Sequence, residues 1–292
     1  MRLARFAKIV IDCKSASTDN DWRKVMFNRH FALQNAIAVV IALVLAAIAP
    51  AQAAIHTETV EYKQDSVVLE GYLAYDDALQ GKGPGVLVVH EWKGITPYEK
   101  GRVEQLAAMG YVAFAADIYG KGVRPATADE AGKVSGIYRS NRALLRARAQ
   151  AGLDALKLSD RTDPERIAAI GYCFGGTTVL ELARSGARLP GIVSFHGGLD
   201  APNPGDAKNI KAKVLALTGG DDRFVPPTQR LAFEDEMRSG GVDWQMIIYG
   251  GAVHSFTNPA SGSDPSTGVA YNERADHRSW EAMKQFFAEI FK

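Results

Sequence analysis

RIAAIGYCFGGTTVLELAR, residues 166–184, is the stretch whose reading decides the fold. Ile167-Ala168-Ala169-Ile170 is a short apolar run of the kind that forms a fully buried strand. Thr177 to Arg184 carries apolar residues at helical spacing and stops before Gly186. Between them lies Gly171-Tyr172-Cys173-Phe174-Gly175-Gly176, so the strand is expected to turn straight into the helix with Cys173 at the apex. The glycines answer a steric demand: without a Cβ, strand and helix can pass closely while the apex residue takes a strained backbone. The competing reading is a buried structural cysteine beside a Gly-rich turn, because free cysteine is among the most buried residue types. The strand before and the helix after point instead to a nucleophile, provided that the rest of the chain supplies an acid and a base.

A strand that turns into a helix through G-x-nucleophile-x-G is the nucleophile elbow of the α/β hydrolases. The rest of the chain suits that architecture. Thr57–Tyr62 and Val67–Tyr75 alternate apolar and polar residues and read as two antiparallel strands at a sheet edge. Val86–Val89, Tyr111–Ala116, Ile192–Phe195, Val214–Leu217 and Trp244–Tyr249 read as further strands. Helices are expected over Tyr98–Met109, Asn141–Leu158 and near Thr228–Arg238. A closing helix places Trp280, Met283, Phe287 and Ile290 on one face. Strands alternating with helices imply an α/β fold, a mostly parallel twisted sheet with helices on both faces. No repeat, low-complexity tract or second domain interrupts this pattern.

The first 53 residues do not read as part of that domain. Ala36–Ala49 is 14 residues without a charge, preceded by Arg29 and His30 and followed by Ala51-Gln52-Ala53. A basic flank, a short apolar run and a small-x-small end make a secretory signal peptide, cleaved after Ala53. A membrane anchor is the alternative, but a span needs about 20 apolar residues. Residues 1–25 are polar and precede Met26, which is expected to be the true start. The leader holds seven of the 34 Lys/Arg and three of the 33 Asp/Glu, which leaves 27 and 30 in residues 54–292, net −3. A nucleic-acid partner would want a basic stripe, which this balance argues against. Of the two cysteines, Cys13 lies in the leader, so Cys173 is alone in the exported chain and has no internal disulfide partner.

In α/β hydrolases the nucleophile, acid and base follow in that chain order. Thr218-Gly219-Gly220-Asp221-Asp222 follows a strand, and ligands of parallel-sheet enzymes bind at the carboxyl ends of strands. Asp221, Asp222 and Asp200 compete as the acid, and Asp-Asp in a Gly-rich turn is also ordinary turn chemistry. Asp222, three residues before Val225-Pro226, is preferred. His254 follows the last strand through a Gly-Gly loop and is the candidate base, whereas His277 sits among charges and reads as surface. His90 and His196 precede the acid and are excluded as base by chain order. The oxyanion hole needs a backbone N–H from the residue after the nucleophile, Phe174, and one from the loop His90-Glu91-Trp92-Lys93-Gly94, which nominates Trp92.

These residues carry a resemblance to the dienelactone hydrolases, α/β hydrolases with a Cys-His-Asp triad. It rests on His90-Glu91-Trp92-Lys93-Gly94, Gly171-Tyr172-Cys173-Phe174-Gly175-Gly176, Gly251-Ala252-Val253-His254-Ser255-Phe256, and Asp222 with Arg223-Phe224-Val225-Pro226, in order over roughly residues 57–292. The resemblance implies an acyl-cysteine mechanism without metal or organic cofactor. It also gives Glu91 a role as a gate, a carboxylate that contacts the resting thiol. The chain departs from the family where substrate is read. Lys121 and Asn258 stand where the family's best-known members have two arginines on the substrate carboxylate. Lysine holds a carboxylate only as a point charge, so a weak preference for anionic substrates is expected. The overall expectation is an exported hydrolase of small lactones or activated esters. A thioesterase or general carboxylesterase of the same fold, and a catalytically retired binding protein, are the alternatives.

Overall fold

The computed structural model describes Phe27 and residues 54–292. The apolar run Ala36–Ala49, the Ala51-Gln52-Ala53 motif, Cys13 and Met26 lie outside the described residues. Ala53–Lys292 form one unit.

In chain order the elements are β1 (Ile55–Gln64), β2 (Val67–Asp76), β3 (Gly83–Val89), α1 (Pro97–Ala108), β4 (Val112–Ala116), α2 (Ala128–Ser140), α3 (Arg142–Leu158), β5 (Thr162–Tyr172), α4 (Phe174–Arg184), β6 (Gly191–Phe195), β7 (Lys213–Gly219), α5 (Pro227–Gly240), β8 (Trp244–Tyr249) and α6 (Glu273–Ile290). The sheet has eight strands in the order β1-β2-β4-β3-β5-β6-β7-β8. β1 and β2 pair antiparallel, β2 meets β4 antiparallel, and every other pairing is parallel. The edge hairpin and the parallel body expected from the sequence are both present.

Side chains on alternate positions of a strand face opposite sides of a sheet, and the central strands are apolar on both. In β3, Leu87 and Val89 join the core beneath α3, α4 and α5, while Val86 and Val88 join the core beneath α1 and α6. α6 buries Met283 and Phe287 fully and packs Trp280 and Ile290 against the same core. Burying each such side chain is worth about 1.5–3 kcal/mol. α4, the helix that starts directly after Cys173, is buried along its whole length, including Arg184. The Arg184 guanidinium is offset by Glu181 at 3.0 Å and by Glu236 of α5 at 2.7 Å. Buried charges are tolerated when paired in this way, and the pairs fix α4 against α5.

One helix was not foreseen. α2 contains Gly132 and Gly136 and buries only Ala131, Ser135 and Tyr138, so its apolar stripe is too thin for periodicity to reveal. Its signal is the capping box: Thr127 accepts from the Glu130 N–H, and the Glu130 carboxylate accepts from the Thr127 N–H.

Candidate active site

Cys173 sits between β5 and α4 with φ 52° and ψ −112°, a left-handed backbone that a residue with a Cβ adopts only when its surroundings enforce it. The enforcement comes from close approach on both sides. A Cβ on Gly171 would lie 2.1 Å from the Gly175 carbonyl oxygen, and one on Gly175 would lie 2.1 Å from the Val89 carbonyl oxygen. The turn exists because both positions lack that atom.

Three side chains converge here from three strand ends. Cys173 Sγ lies 3.0 Å from His254 Nε2, and His254 Nδ1 lies 2.8 Å from Asp222 Oδ2. Asp222 is buried, and its other oxygen accepts the Phe224 N–H at 2.8 Å, so the carboxylate is aimed by its own turn. The loop carrying His254 is tied down through the Gly268 carbonyl, which accepts the His254 N–H, and the Ala270 N–H, which donates to the His254 carbonyl. Asp221 is exposed, and Asp200 pairs with Arg142 at 2.5 Å, so neither competes with Asp222. His277 is exposed. His90 is buried, and its Nε2 accepts the Ile118 N–H at 3.2 Å.

Burial alone would lower the basicity of His254. The negative charge of the Cys173 sulfur and the hydrogen bond to Asp222 outweigh it, and the imidazole is pushed up to about 10 from 6.5. A histidine whose folded value is raised stabilises the fold fully below its ordinary value and loses that contribution as pH rises through the folded value. The stability difference between wild type and His254→Gln, measured by urea unfolding, is therefore expected to be largest near pH 6 and to shrink as pH passes 10. A difference that grows with pH would refute the ion pair.

Cys173 and His254 line a cavity of about 1070 Å³, with Asp222 buried behind the imidazole. Trp92 lines the cavity with Cys173, Phe174 follows Cys173 as the first residue of α4, and no protein acceptor takes either backbone N–H among the described residues. Glu99 buttresses the Trp92 loop. Its carboxylate accepts the Glu91 N–H at 3.0 Å and the Thr96 N–H at 2.8 Å. Burial raises Glu99 to about 7, and the neighbouring Glu91 charge adds to the rise.

Two expectations are corrected, those for Glu91 and Lys121. Glu91 does not touch the thiol: its carboxylate accepts from Ser255 Oγ at 2.8 Å and Asn258 Nδ2 at 2.7 Å, which take one oxygen each. Burial still holds Glu91 above the usual carboxylate range. Asn258 lines the cavity, with one Nδ2 hydrogen donated to Glu91 and Oδ1 accepting the Ala260 N–H. Lys121 is outside the cavity altogether, half-exposed and paired with Glu61 of β1. With Glu91 turned away, Glu91→Gln is expected to be alkylated by iodoacetamide at the wild-type rate. A many-fold faster rate would restore the gate.

Sequence reasoning missed three cations that line the cavity: Arg142, which pairs with Asp200, and two others, Lys93 and Arg139. Neither Lys93 nor Arg139 has a carboxylate partner among the described residues, and Arg139 lies over the Phe174 ring at 5.9 Å. Arg139 belongs to the unforeseen helix α2. Lys93 stands beside Trp92 in a motif read only for its backbone.

A sequence profile described as the dienelactone hydrolase family matches residues 69–291. The chain belongs to the dienelactone hydrolase family. It is 29% identical over 243 residues to a putative carboxymethylenebutenolidase of Aquifex aeolicus (strain VF5), covering 80% of this chain and 99% of that one. It is 30% identical over 209 residues to protein usf of Aquifex pyrophilus, covering 69% and 87%. Among solved structures, a dienelactone hydrolase-like promiscuous phosphotriesterase from metagenomic libraries superposes with a TM-score of 0.78 at 42% identity, covering 82% of this chain and all of that one. A putative dienelactone hydrolase from Klebsiella pneumoniae superposes with a TM-score of 0.71 at 21% identity, a likeness of fold. The chain is thus a dienelactone hydrolase-like hydrolase with the α/β-hydrolase fold.

Proposed function

We propose that this family member hydrolyses small lactones or activated carboxylic esters through an acyl-cysteine. The observation that carries the reading is the unbroken line from Asp222 through His254 to Cys173, with contacts of 2.8 and 3.0 Å, facing the cavity. The Cys173 thiolate attacks the carbonyl carbon, and the oxygen gains the charge that the Phe174 and Trp92 N–H groups stabilise. The tetrahedral species collapses, the C–O bond to the alcohol breaks, and the imidazolium of His254 gives its proton to the departing oxygen. His254, now neutral, takes a proton from water, whose oxygen attacks the thioester, and the acid leaves with Cys173 restored. Asp222 holds the imidazole tautomer throughout.

The test is a rapid quench of purified protein with an activated ester, followed by mass analysis of the peptide bearing Cys173. An acyl adduct on Cys173 that decays at the turnover rate supports the reading. Turnover without an adduct, or retained in Cys173→Ala, sinks it. The ester panel includes thioesters and a phosphotriester, since a relative 42% identical is a phosphotriesterase. A panel that yields no turnover, and a thiol that does not acylate, would leave a binding protein.

We also propose that the enzyme is exported and that the mature chain begins at Ala54, on the strength of the 14-residue apolar run and Ala51-Gln52-Ala53. N-terminal analysis of the secreted or periplasmic form is expected to read Ala54-Ile55-His56. An intact leader in washed membranes would make the segment an anchor.

A further inference from the structure

We infer that His196 is a positioning residue, one that holds the nucleophile's backbone so that the sulfur faces the oxyanion donors. The inference rests on the acyl-cysteine reading above, and it concerns a histidine that this reading does not use. His196 is fully buried at the end of β6. Its Nδ1 lies 3.1 Å from the Cys173 backbone nitrogen, and that N–H is shared with the Phe195 carbonyl at 3.0 Å. The His196 backbone is itself in the left-handed region, with φ 40°, and its N–H donates to the Leu217 carbonyl of β7 at 2.8 Å. Two strained residues, Cys173 and His196, therefore hold one another across adjacent strands.

The tautomer follows from the partners. A backbone N–H only donates, so Nδ1 must carry the lone pair and Nε2 the proton. Nε2 is 2.8 Å from Thr257 Oγ1, which accepts that proton, and the same oxygen is 2.6 Å from the Tyr98 hydroxyl. Thr257 does not drift, because its carbonyl accepts from Arg102 at 2.8 Å and Arg102 is paired with Asp276 at 2.5 Å. α1 and α6 thus anchor the far end of a chain of hydrogen bonds whose near end is the nucleophile's amide. Only a neutral ring fits. A second proton on Nδ1 would set N–H against N–H, and the cationic His254 ring stands 5.4 Å away. Burial, reinforced by that charge, holds His196 well below its ordinary value.

A displaced amide tilts Sγ away from the line between the carbonyl carbon and the Phe174 and Trp92 N–H groups. Misplacement on the scale of 1 Å costs on the order of 100-fold in rate. A small alkylating reagent needs the thiolate but no oxyanion hole, so the two readouts separate positioning from mere stability. His196→Phe keeps a ring of similar size and loses both nitrogens. It is expected to lower kcat on an activated ester by about 10- to 100-fold with KM little changed, while iodoacetamide labels Cys173 at nearly the wild-type rate. His196→Asn, which can offer an acceptor to the Cys173 N–H, is expected to recover most of the loss. If His196→Phe does not fold, Thr257→Val strips the acceptor from Nε2 and should show the same split. Wild-type kcat in the variant that folds would overturn the inference. So would kcat and labelling falling together. Turnover retained in Cys173→Ala would instead remove the reading beneath it, a result that the His196 variants cannot produce.

Discussion

Cys173→Ala and His254→Ala are each expected to lower kcat on an activated ester by on the order of 10⁴-fold or more, and Asp222→Asn by about as much. Members of such a unit fail together: without the sulfur no thioester forms, and without the imidazole neither proton transfer occurs. Asp222→Asn keeps the shape but offers an amide where His254 Nδ1–H needs an acceptor, since the contact is 2.8 Å and the carboxylate is buried. Asp221→Asn is the control. That side chain is exposed, one residue away, and its loss is expected to be mild. Steady-state kinetics on variants shown to be folded by circular dichroism decide the matter. A larger loss for Asp221→Asn than for Asp222→Asn would transfer the acid role.

Gly175→Ala is expected to destroy the fold rather than tune it. Its Cβ would meet the Val89 carbonyl oxygen at 2.1 Å and the carbonyl carbon at 2.6 Å. β3 cannot retreat, because β4 and β5 pair with it on both sides. Costs of more than about 4 kcal/mol belong to strain of this kind and rival the stability of a whole domain. Gly101→Ala in α1 is the opposite case. Nothing lies within 4 Å of that added Cβ, and alanine in a helix interior is favoured over glycine by about 0.5–1 kcal/mol. Urea midpoints should move in opposite directions, with Gly175→Ala recovered largely as insoluble protein. A soluble, native-like Gly175→Ala would show that β3 and α4 can part.

What was legible in the sequence was whatever depends on local pattern. The apolar runs of the central strands, the Gly-x-Cys-x-Gly turn, and the order Cys173, Asp222, His254 all follow from spacing, and the geometry brings these three together. What was not legible depends on where a side chain points. Lys121 lies shortly after the end of β4, and its ammonium turns to Glu61 of the edge hairpin. Glu91 stands beside Trp92, but its direction is set by Ser255 and Asn258, and Ser255 takes a left-handed backbone (φ 58°) that no residue pattern announces. α2 escaped because two glycines thin its stripe, and Arg139 escaped with it.

Cys173 is the one sulfhydryl in residues 54–292, and the imidazole that faces it arrives on the loop beyond β8, 81 positions later in the chain. A nascent or partly unfolded molecule therefore carries the sulfur without its partner, and only a molecule whose last sheet edge has closed brings the two within 3.0 Å. The candidate site is thus completed by the last strand of the sheet, and a chain cut short before β8 would present the sulfur without its histidine.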